Sequence, residues 1–296
     1  MSLFRTLQFI VLHPLNKART VEALLGYLKW QVGSRLVPGD IVYEWIEGVK
    51  FFVRPGEVGL TQNIYCGLQE FSEMAYVLHV LQTDDLFIDI GANVGAYTLL
   101  ACGVKGARGF CFEPVPETYQ RLQANMKLNG LLGRVATYNI GLADKEGELR
   151  FTSGLDSTNH VVAEHEHVDE AVAVKVLPLD ILLADETPAM VKIDVEGYET
   201  LVVNGMLRTL KKPSLHSVVM EMNGSGERYG FDEDLLAAVL QSFGFQRYTY
   251  EPFSRALAPA PGSGYGSGNA LFVRDLARVR QRVEGAARIR IGATEV

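Results

Sequence analysis

The sequence predicts an α/β fold built on a doubly wound, mostly parallel sheet with helices on both faces. The chain has 296 residues, of which 48% are hydrophobic, so it can bury a sizeable core. From about residue 70, short apolar runs alternate with amphipathic helical segments, the pattern of a parallel sheet covered on both faces. A glycine-containing turn, Asp89 to Gly95, lies where one of these strands leads into a helix.

Residues 1–69 are predicted to be a helix and hairpin extension. Within residues 1–36, apolar side chains recur at helical spacing at Leu24, Leu25, Leu28 and Val32. The same segment carries five basic residues, Arg5, Lys17, Arg19, Lys29 and Arg35, against Glu22 alone. One interpretation is a basic amphipathic helix lying on an anionic membrane. The other is a helix packed on the main domain or on a second subunit of a homo-oligomer.

The hairpin of this extension is expected from Ile41–Ile46 and Val49–Val53, with Glu47-Gly48 at its turn.

The main domain is predicted over residues 70–274. Its expected helices are Glu70–Leu81, Ala96–Gly103, Glu117–Asn129, one that begins at Tyr198, and Asp232–Phe243. Its expected strands are Leu86–Ile90, Gly109–Glu113, Val135–Ile140, Ala189–Asp194, Ser217–Met222, Phe245–Tyr250 and Ala270–Arg274.

Two segments interrupt this alternation. Gly147–His167 predicts an inserted hairpin or loop, and the Gly-, Pro-, Ala- and Ser-rich stretch Pro252–Gly268 predicts a long loop between the last two strands. Residues 275–296 are expected to form a short helix and a frayed tail.

Composition disfavours a nucleic-acid partner and argues against a membrane-spanning segment. The formal net charge is −7 and the isoelectric point is about 5.5. Because nucleic-acid binders present a basic face, a nucleic-acid partner is disfavoured. The three cysteines form no CxxC pair, which is typical of buried thiols in a reducing cytosol. The apolar run Phe9–Leu12 is too short to span a membrane, so we expect a cytoplasmic protein with at most a peripheral membrane contact.

The glycine turn distinguishes between two cofactor classes. A dinucleotide site would show G-x-G-x-x-G, but here Asn93 stands between Gly91 and Gly95 where a glycine is expected. Asp89 would repel a pyrophosphate, whereas it suits a ligand with an ammonium group, such as S-adenosylmethionine. The turn therefore favours S-adenosylmethionine over a nicotinamide dinucleotide.

Two further acidic residues belong to this predicted cofactor site. Glu113 ends the next strand, roughly 20 residues beyond the turn, where a carboxylate can accept hydrogen bonds from both ribose hydroxyls. Asp144 follows the third strand and has two interpretations of equal weight. It accepts a hydrogen bond from the adenine amine, or it serves a local turn.

Candidate catalytic residues cluster at the ends of two later strands. Asp194 and Glu196 are two residues apart at the end of the fourth strand, so both can face the same opening. Glu221, near the end of Ser217–Met222, and His160, in a polar run from Asp156, are the other candidate bases. His160, His165 and His167 raise the question of a metal, but the acidic residues around them indicate a solvated loop, and we expect no metal.

The stretches FIDIGANVGAYT, FEP at residues 112–114, VKIDVEGYE and the strand from Gly268 to Arg274 share one order and spacing. In this respect the chain resembles the FkbM-type methyltransferases over about residues 70–274. The resemblance implies a class I methyltransferase (Rossmann-like) fold with seven strands, the last antiparallel. It also implies S-adenosylmethionine as cofactor, with S-adenosylhomocysteine as product, and an oxygen atom as the usual acceptor.

The expected activity is therefore methyl transfer to a hydroxyl of a small-molecule or glycan acceptor, with a sugar favoured. An N-methyltransferase or nucleic-acid methyltransferase is the alternative, and a nucleotide-dependent oxidoreductase is the least favoured. The N-terminal segment and the insertion around Asp156–Asp169 lie outside the shared motifs, so the acceptor is left open.

Overall fold

The described residues of the N-terminal extension form three helices and a hairpin. A computed structural model describes residues 3–55, 60–155, 158–163, 165–168, 170–260 and 268–296. Helices α1 (Leu3–Leu12), α2 (Thr20–Leu36) and α3 (Thr61–Cys66) flank the predicted hairpin, whose strands β1 (Ile41–Glu44) and β2 (Lys50–Val53) pair antiparallel. Helix α4 (Phe71–Val80) then leads into the main sheet.

In the part of the chain that the structure describes, the main sheet has eight strands in the order β5-β4-β3-β9-β10-β13-β11-β12. Their bounds are β3 (Leu86–Ile90), β4 (Arg108–Phe112), β5 (Val135–Tyr138), β9 (Met190–Ile193), β10 (Ser217–Met222), β11 (Gln246–Glu251), β12 (Ala256–Pro259) and β13 (Gly268–Val273). The pairs from β5 to β10 are parallel, and β13 is antiparallel to both of its neighbours. The predicted class I sheet with an antiparallel last strand is confirmed.

Strand β12 contradicts the predicted long loop over Pro252–Gly268. Residues 256–259 lie in the stretch that the composition marks as a loop, yet they pair antiparallel with β11. Leu257 is buried there while its neighbours are exposed, which is enough apolar surface for an edge strand. Pro259 is tolerated because an edge strand need not donate every backbone hydrogen bond. Residues 261–267 of the predicted loop lie outside the described residues.

Helices cover both faces of this sheet. They are α5 (Ala96–Thr98), which continues into a π-helical turn at Leu99–Val104, α6 (Pro116–Leu128), α7 (Leu179–Leu182), α8 (Glu199–Asn204), α9 (Leu207–Lys211), α10 (Glu233–Ser242) and α11 (Leu276–Gly285). A 3-10 turn at Ser225–Tyr229 follows β10. Pro116 begins α6 with its φ already helical, and the Asp232 side chain accepts from the first backbone amides of α10.

The insertion forms a separate small sheet. Strands β6 (Gly141–Leu142), β7 (Gly147–Thr152) and β8 (Ala171–Leu177) lie in the order β6-β8-β7. The predicted inserted hairpin is therefore present, with β8 beyond the expected end. Its buried side chains, Phe151, Val161, Val174 and Val176 among them, form a small cluster of their own.

The C-terminal segment is not frayed, contrary to the prediction. After α11, strands β14 (Arg290–Ile291) and β15 (Thr294–Glu295) pair antiparallel, and Ile289, Ile291 and Val296 are buried. The Arg255 guanidinium also donates to carbonyl oxygens of this segment, including those of Ala287 and Val296. The three buried side chains belong to the same hydrophobic cluster as Val279 and Val283 of α11.

Two hydrophobic clusters occupy the two faces of the sheet. One contains Phe51 and Val53 of the hairpin together with Phe87 of β3 and Leu122 of α6, so the extension shares a core with the main domain. The other lies under α8, α9 and α10. All three cysteine thiols are free and buried, as predicted. Among the described helices, none is both long enough and apolar enough to cross a bilayer.

Candidate active site

A cavity of about 210 Å³ opens at the carboxyl ends of β3, β4, β9 and β10. Ligands of open α/β sheets bind at this edge. Two of its walls matter most. The glycine-turn wall consists of Asp89, Gly91, Asn93 and Glu113, and the acidic wall consists of Asp194, Glu196 and Glu221. Gln62, Gln69 and Glu70, from α3 and the approach to α4, also line the cavity.

Gly91 is required by a close contact between two strands. Its φ is +72°, and a Cβ atom at this position would lie 1.7 Å from the backbone oxygen of Asp194. The backbone amides of Gly91 and Ala92 both donate to the carbonyl oxygen of Phe112 at the end of β4. A side chain here would push the two walls apart, so only glycine fits.

Asn93 and Glu113 are joined by one direct hydrogen bond. Asn93 has a φ of +50°, a conformation that asparagine tolerates better than most residues. Its backbone amide donates to Glu113 Oε2 at 3.0 Å, and the Val115 amide donates to Glu113 Oε1 at 2.9 Å. Burial outweighs these bonds and raises the pKa of Glu113 to about 7. Each Glu113 oxygen keeps a second lone pair that can accept from a ligand hydroxyl.

Asp89 lies at the base of the glycine-turn wall. Its carboxylate is buried and accepts from Thr98 Oγ1 at 2.6 Å. Burial raises the pKa of Asp89, although the charge of Lys192 opposes this shift. Gly95, in contrast, does not line the cavity. Its φ is +95°, and a Cβ atom there would lie 2.8 Å from Leu122 and 2.9 Å from Met126, so this glycine lets α6 pack closely.

The acidic wall brings three carboxylates together. Oxygen atoms of Asp194, Glu196 and Glu221 all lie within 4.8 Å of one another. The structure thus joins residues that the sequence places on two different strands. No other group of three or more His, Cys, Asp or Glu side chains with this spacing occurs in the part of the chain that the structure describes.

Glu196 is held in an unusual backbone conformation. Its φ is +53°, which costs energy for a residue with a Cβ atom. Glu199 supports the turn, since its Oε1 accepts from the amides of Val195 at 3.0 Å and Gly197 at 3.3 Å. Burial, and then the charges of Asp194 and Glu199, raise the pKa of Glu196 to about 7.

Glu221 has a buried oxygen atom, Oε2, without a hydrogen-bond partner among the described residues. Burial, followed by the negative charges of Asp194 and Glu196, raises the pKa of Glu221 to about 9. At neutral pH this carboxyl group is therefore protonated, and it presents a donor and an acceptor to the cavity.

Lys192 is a candidate site residue that the sequence prediction misses. It is 3% exposed, and its Nζ lies 2.6 Å from Asp194 Oδ2 and 4.6 Å from the centre of the Tyr97 ring. Burial alone would lower its pKa, but the charges of Asp194 and Glu70 outweigh burial and raise it. The sequence does hold a signal for this residue, because Lys192 and Asp194 are two apart in an otherwise apolar strand and so share a face.

Glu70 and Tyr97 extend this network and are also missed. The Tyr97 hydroxyl donates to Glu70 Oε2, and burial raises the pKa of Glu70 while Lys192 lowers it. Lys192 is the single basic side chain among the described residues that line the cavity, against six carboxylates. The cavity is therefore strongly acidic.

Besides Gly95, two predicted site residues, His160 and Asp144, lie outside the cavity. The His160 ring is nearly buried, with Nδ1 at 2.9 Å from the Thr158 carbonyl oxygen and Nε2 at 2.9 Å from Glu166 Oε1. Its neighbours Phe151 and Asn159 line the cavity instead. Asp144 is exposed after β6 and does not line the cavity, which fits the local-turn interpretation. Asp156, Ser157, Glu164 and Asp169 of the same insertion are not among the described residues.

Comparison with known proteins identifies the family. The Methyltransferase FkbM domain matches residues 89–251, more than half of the chain. The chain belongs to this family. The matched region is an S-adenosylmethionine-dependent methyltransferase domain, and S-adenosylmethionine is the cofactor of its class I fold.

Characterised relatives match only part of their length. The chain is 30% identical over 152 residues to the hexuronic acid methyltransferase AglP of Haloferax volcanii, a match over 50% of this chain and 59% of AglP. It is 25% identical over 211 residues to the 31-O-demethyl-FK506 methyltransferase FkbM of Streptomyces tacrolimicus, over 59% of this chain and 78% of that protein. Among solved structures, precorrin-6y C5,15-methyltransferase of Geobacter metallireducens aligns with 75% of this chain and 93% of its own at 12% identity and a TM-score of 0.41.

The cavity fits the cofactor of this family. S-adenosylmethionine carries a positively charged ammonium group and a positively charged sulfonium, and the carboxylates Asp89, Glu113 and Asp194 line the cavity. At Gly91 the two walls lie so close together that a Cβ atom would clash with the Asp194 backbone. A dinucleotide pyrophosphate would instead meet these negative charges, and Lys192, the one basic side chain among the described lining residues, is already paired with Asp194.

Proposed function

We propose that this protein transfers a methyl group from S-adenosylmethionine to a hydroxyl group of a small-molecule or glycan acceptor, with a sugar as the favoured class. One observation supports this proposal above all, the acidic wall of Asp194, Glu196 and Glu221 beside the glycine-turn wall. A hydroxyl must lose its proton during methyl transfer, and these carboxylates offer a base at the required place.

The glycine-turn wall is proposed to hold the cofactor. Asp89 would attract the ammonium group, and Glu113 would accept from the ribose hydroxyls, while Gly91 and Asn93 shape the turn. When bound, S-adenosylmethionine supplies an activated methyl group on a positively charged sulfur. The residues of this chain contribute chiefly by orienting the two reactants, an effect worth up to ~7–11 kcal/mol in favourable cases.

Glu196 is the proposed general base. A pKa of about 7 leaves a useful fraction of Glu196 ionised at neutral pH and keeps it strong enough to accept a hydroxyl proton. Glu221, with its pKa near 9, is proposed to stay protonated and to hydrogen-bond a second polar group of the acceptor. The ion pair with Lys192 orients Asp194 within the wall.

The relatives support an oxygen atom on a hydroxylated acceptor. AglP is named for a hexuronic acid, which is a sugar, and FkbM is named for a substrate that lacks a methyl group on oxygen. An amine acceptor is the second candidate, because an acidic cavity also attracts a cationic amine. A direct assay distinguishes the hydroxyl acceptor from the amine acceptor. It offers sugars, nucleotide-sugars, lipid-linked glycans and their amino-sugar counterparts together with labelled cofactor.

The test of the proposed base is Glu196→Gln. We expect kcat to fall about 10²–10⁴-fold, because a general base contributes an effect of this size. The affinity for S-adenosylhomocysteine, measured by calorimetry, should stay within about threefold of the wild type, since Glu196 does not belong to the glycine-turn wall. Glu284→Gln, an exposed residue of α11, is the matched control. Wild-type turnover by the Glu196 variant would exclude this residue as the base.

A further inference from the structure

The outer face of α2 carries a continuous apolar stripe that no part of the described chain covers. Val21, Leu25, Leu28, Val32 and Leu36 are each between 55% and 78% exposed. At about 100° per residue these five positions fall within one narrow sector of the helix. Such a stripe costs solvation energy in water, so its exposure indicates an interaction site.

The inner face of α2 already holds the helix on the protein. The Tyr27 ring packs edge-on against Tyr65 with ring centres 5.0 Å apart, and Gln31 Nε2 donates to the Tyr65 hydroxyl at 3.1 Å. Trp30 packs against the large core and Ser34 is buried. Attachment to the main domain therefore does not need the outer stripe.

Exposed apolar side chains are concentrated in this part of the molecule. Of the 17 large apolar side chains that are exposed among the described residues, ten lie between Leu3 and Val37. Helix α1, which packs against α2, contributes Leu3, Phe4, Val11 and Leu12. The remaining seven are scattered over the other seven-eighths of the chain, where single exposed apolar residues need no explanation.

Charge distinguishes the possible occupants of this face. Residues 1–37 carry five basic residues and one acidic residue, a net charge of +4 in a chain whose net charge is −7. The acidic residue, Glu22, is already paired with Arg19. Lys29 and Arg35 lie about 60° to either side of the midline of the stripe, so two cations border the apolar surface. Lysine and arginine in these positions can extend to lipid headgroups while the apolar side chains enter the lipid.

We propose that α1 and α2 dock the protein on an anionic lipid surface, with the Val21–Leu36 stripe inserted at the interface and Lys29 and Arg35 on the headgroups. A second copy of this chain would bring the same cations together, whereas an anionic bilayer complements them. Helix α2 is about 25 Å long, so it lies along the surface. The proposal does not depend on which acceptor the enzyme methylates.

The experiment measures binding of the intact protein to vesicles of phosphatidylcholine alone and to vesicles that also contain phosphatidylglycerol. We expect binding to the anionic vesicles, weakened at high salt because the charges are screened. Leu25→Gln with Leu28→Gln should lower the partition coefficient about tenfold or more, because two apolar side chains lose their transfer free energy. Lys29→Gln should lower it about fivefold.

The matched control is Ile181→Gln with Leu235→Gln, two residues that are 60% and 67% exposed on α7 and α10. This pair should bind vesicles as the wild type does. Calorimetry with S-adenosylhomocysteine checks that every variant is folded, without reference to turnover. Substitution is preferable to truncation, because removal of α1 and α2 would also remove Ile10 from the core and the Asn16 side chain that bonds to the Tyr65 carbonyl oxygen.

Three results would overturn the proposal. In the first, the wild type binds neither kind of vesicle. In the second, the Leu25 and Leu28 pair of substitutions leaves vesicle binding at the wild-type level. In the third, light scattering shows a wild-type dimer that this pair of substitutions dissociates, with no vesicle binding by either protein. That result would assign the stripe to a contact between two copies of the chain.

Discussion

The two walls of the cavity are built on opposite principles. In the glycine-turn wall, the chain satisfies its own polar groups: Glu113 accepts from two backbone amides and Asp89 accepts from Thr98. In the acidic wall, Glu221 Oε2 has no partner among the described residues, and three carboxylates crowd within 4.8 Å. The first wall is organised before any ligand binds. In the second wall the carboxylates repel one another, and a bound ligand or a proton reduces that repulsion.

This difference predicts which measurement each wall controls. Substitutions in the glycine-turn wall should weaken cofactor binding, because its backbone geometry is the binding surface. Substitutions in the acidic wall should lower turnover or change its pH dependence while cofactor binding persists. Substitutions outside both walls should do neither.

The largest effect on binding is expected from Gly91→Ala. The added Cβ atom would lie 1.7 Å from the Asp194 carbonyl oxygen, and a φ of +72° is strained for alanine, so the two walls must separate. We expect the affinity for S-adenosylhomocysteine, measured by calorimetry, to fall at least about 100-fold, from a loss of roughly 3 kcal/mol or more.

Gly130→Ala is the control for backbone strain alone. Gly130 has a φ of +67°, but a Cβ atom there has no heavy atom within 4 Å. This variant should lose about 1 kcal/mol of stability and keep its cofactor affinity. Equal loss of affinity in both variants would show that strain, and not the contact with Asp194, sets the effect.

The largest effect on stability is expected at the ion pair beneath the acidic wall. Lys192→Met leaves the Asp194 carboxylate without its cation among other negative charges, so the free energy of unfolding should fall by about 3–5 kcal/mol. Lys192→Met combined with Asp194→Leu should recover most of this loss, because no uncompensated charge stays buried. Urea denaturation of the two single variants and the double variant measures the coupling. Additive losses would show that the two side chains do not depend on each other.

These walls also differ in how far the sequence predicts them. In the glycine-turn wall, Asp89, Gly91 and Asn93 lie in one short stretch of sequence, and Glu113 follows the next strand. These residues are therefore predictable from local pattern and strand order. Asp194 and Glu196 are predictable because they share one strand end. Their approach to Glu221 requires the order of β9 and β10, which the family resemblance implies and the periodicity alone does not give.

The wrong predictions have physical causes too. Lys192, Glu70 and Tyr97 are missed because a buried ion network is defined by tertiary contacts across β9, α4 and α5. The composition of Pro252–Gly268 predicts a loop, yet one buried leucine is enough for an edge strand. The C-terminal tail is predicted to fray because its short strands have no long apolar run, although Arg255 and three buried side chains hold it.

The third prediction uses pH to separate Glu196 from Glu221. A base with a pKa of about 7 must be ionised to work, so kcat/KM should rise with pH and at pH 6 reach about one tenth of its plateau. If protonated Glu221 binds the acceptor, kcat/KM should fall again above about pH 9. Glu196→Gln should remove the acid limb, and Glu221→Gln should remove the alkaline limb. A profile that is flat from pH 6 to pH 8 would contradict the assignment of Glu196.

The smallest effect is expected at His160, which the sequence makes a candidate base and the structure places outside both walls. Both of its ring nitrogens already contact the chain, at Thr158 and Glu166, and the ring does not line the cavity. His160→Gln should therefore leave turnover within about twofold of the wild type and the cofactor affinity unchanged, while unfolding becomes easier by about 1 kcal/mol as one buried hydrogen bond is lost. Steady-state kinetics and urea denaturation of the same preparation measure both quantities. A fall in turnover of about 10²-fold or more, without a matching loss of stability, would be the size of a general base's contribution and would contradict this prediction. His160 would then have to move into the cavity during turnover, together with the insertion that carries it. The acidic wall would then share its proton transfer with a residue of the insertion.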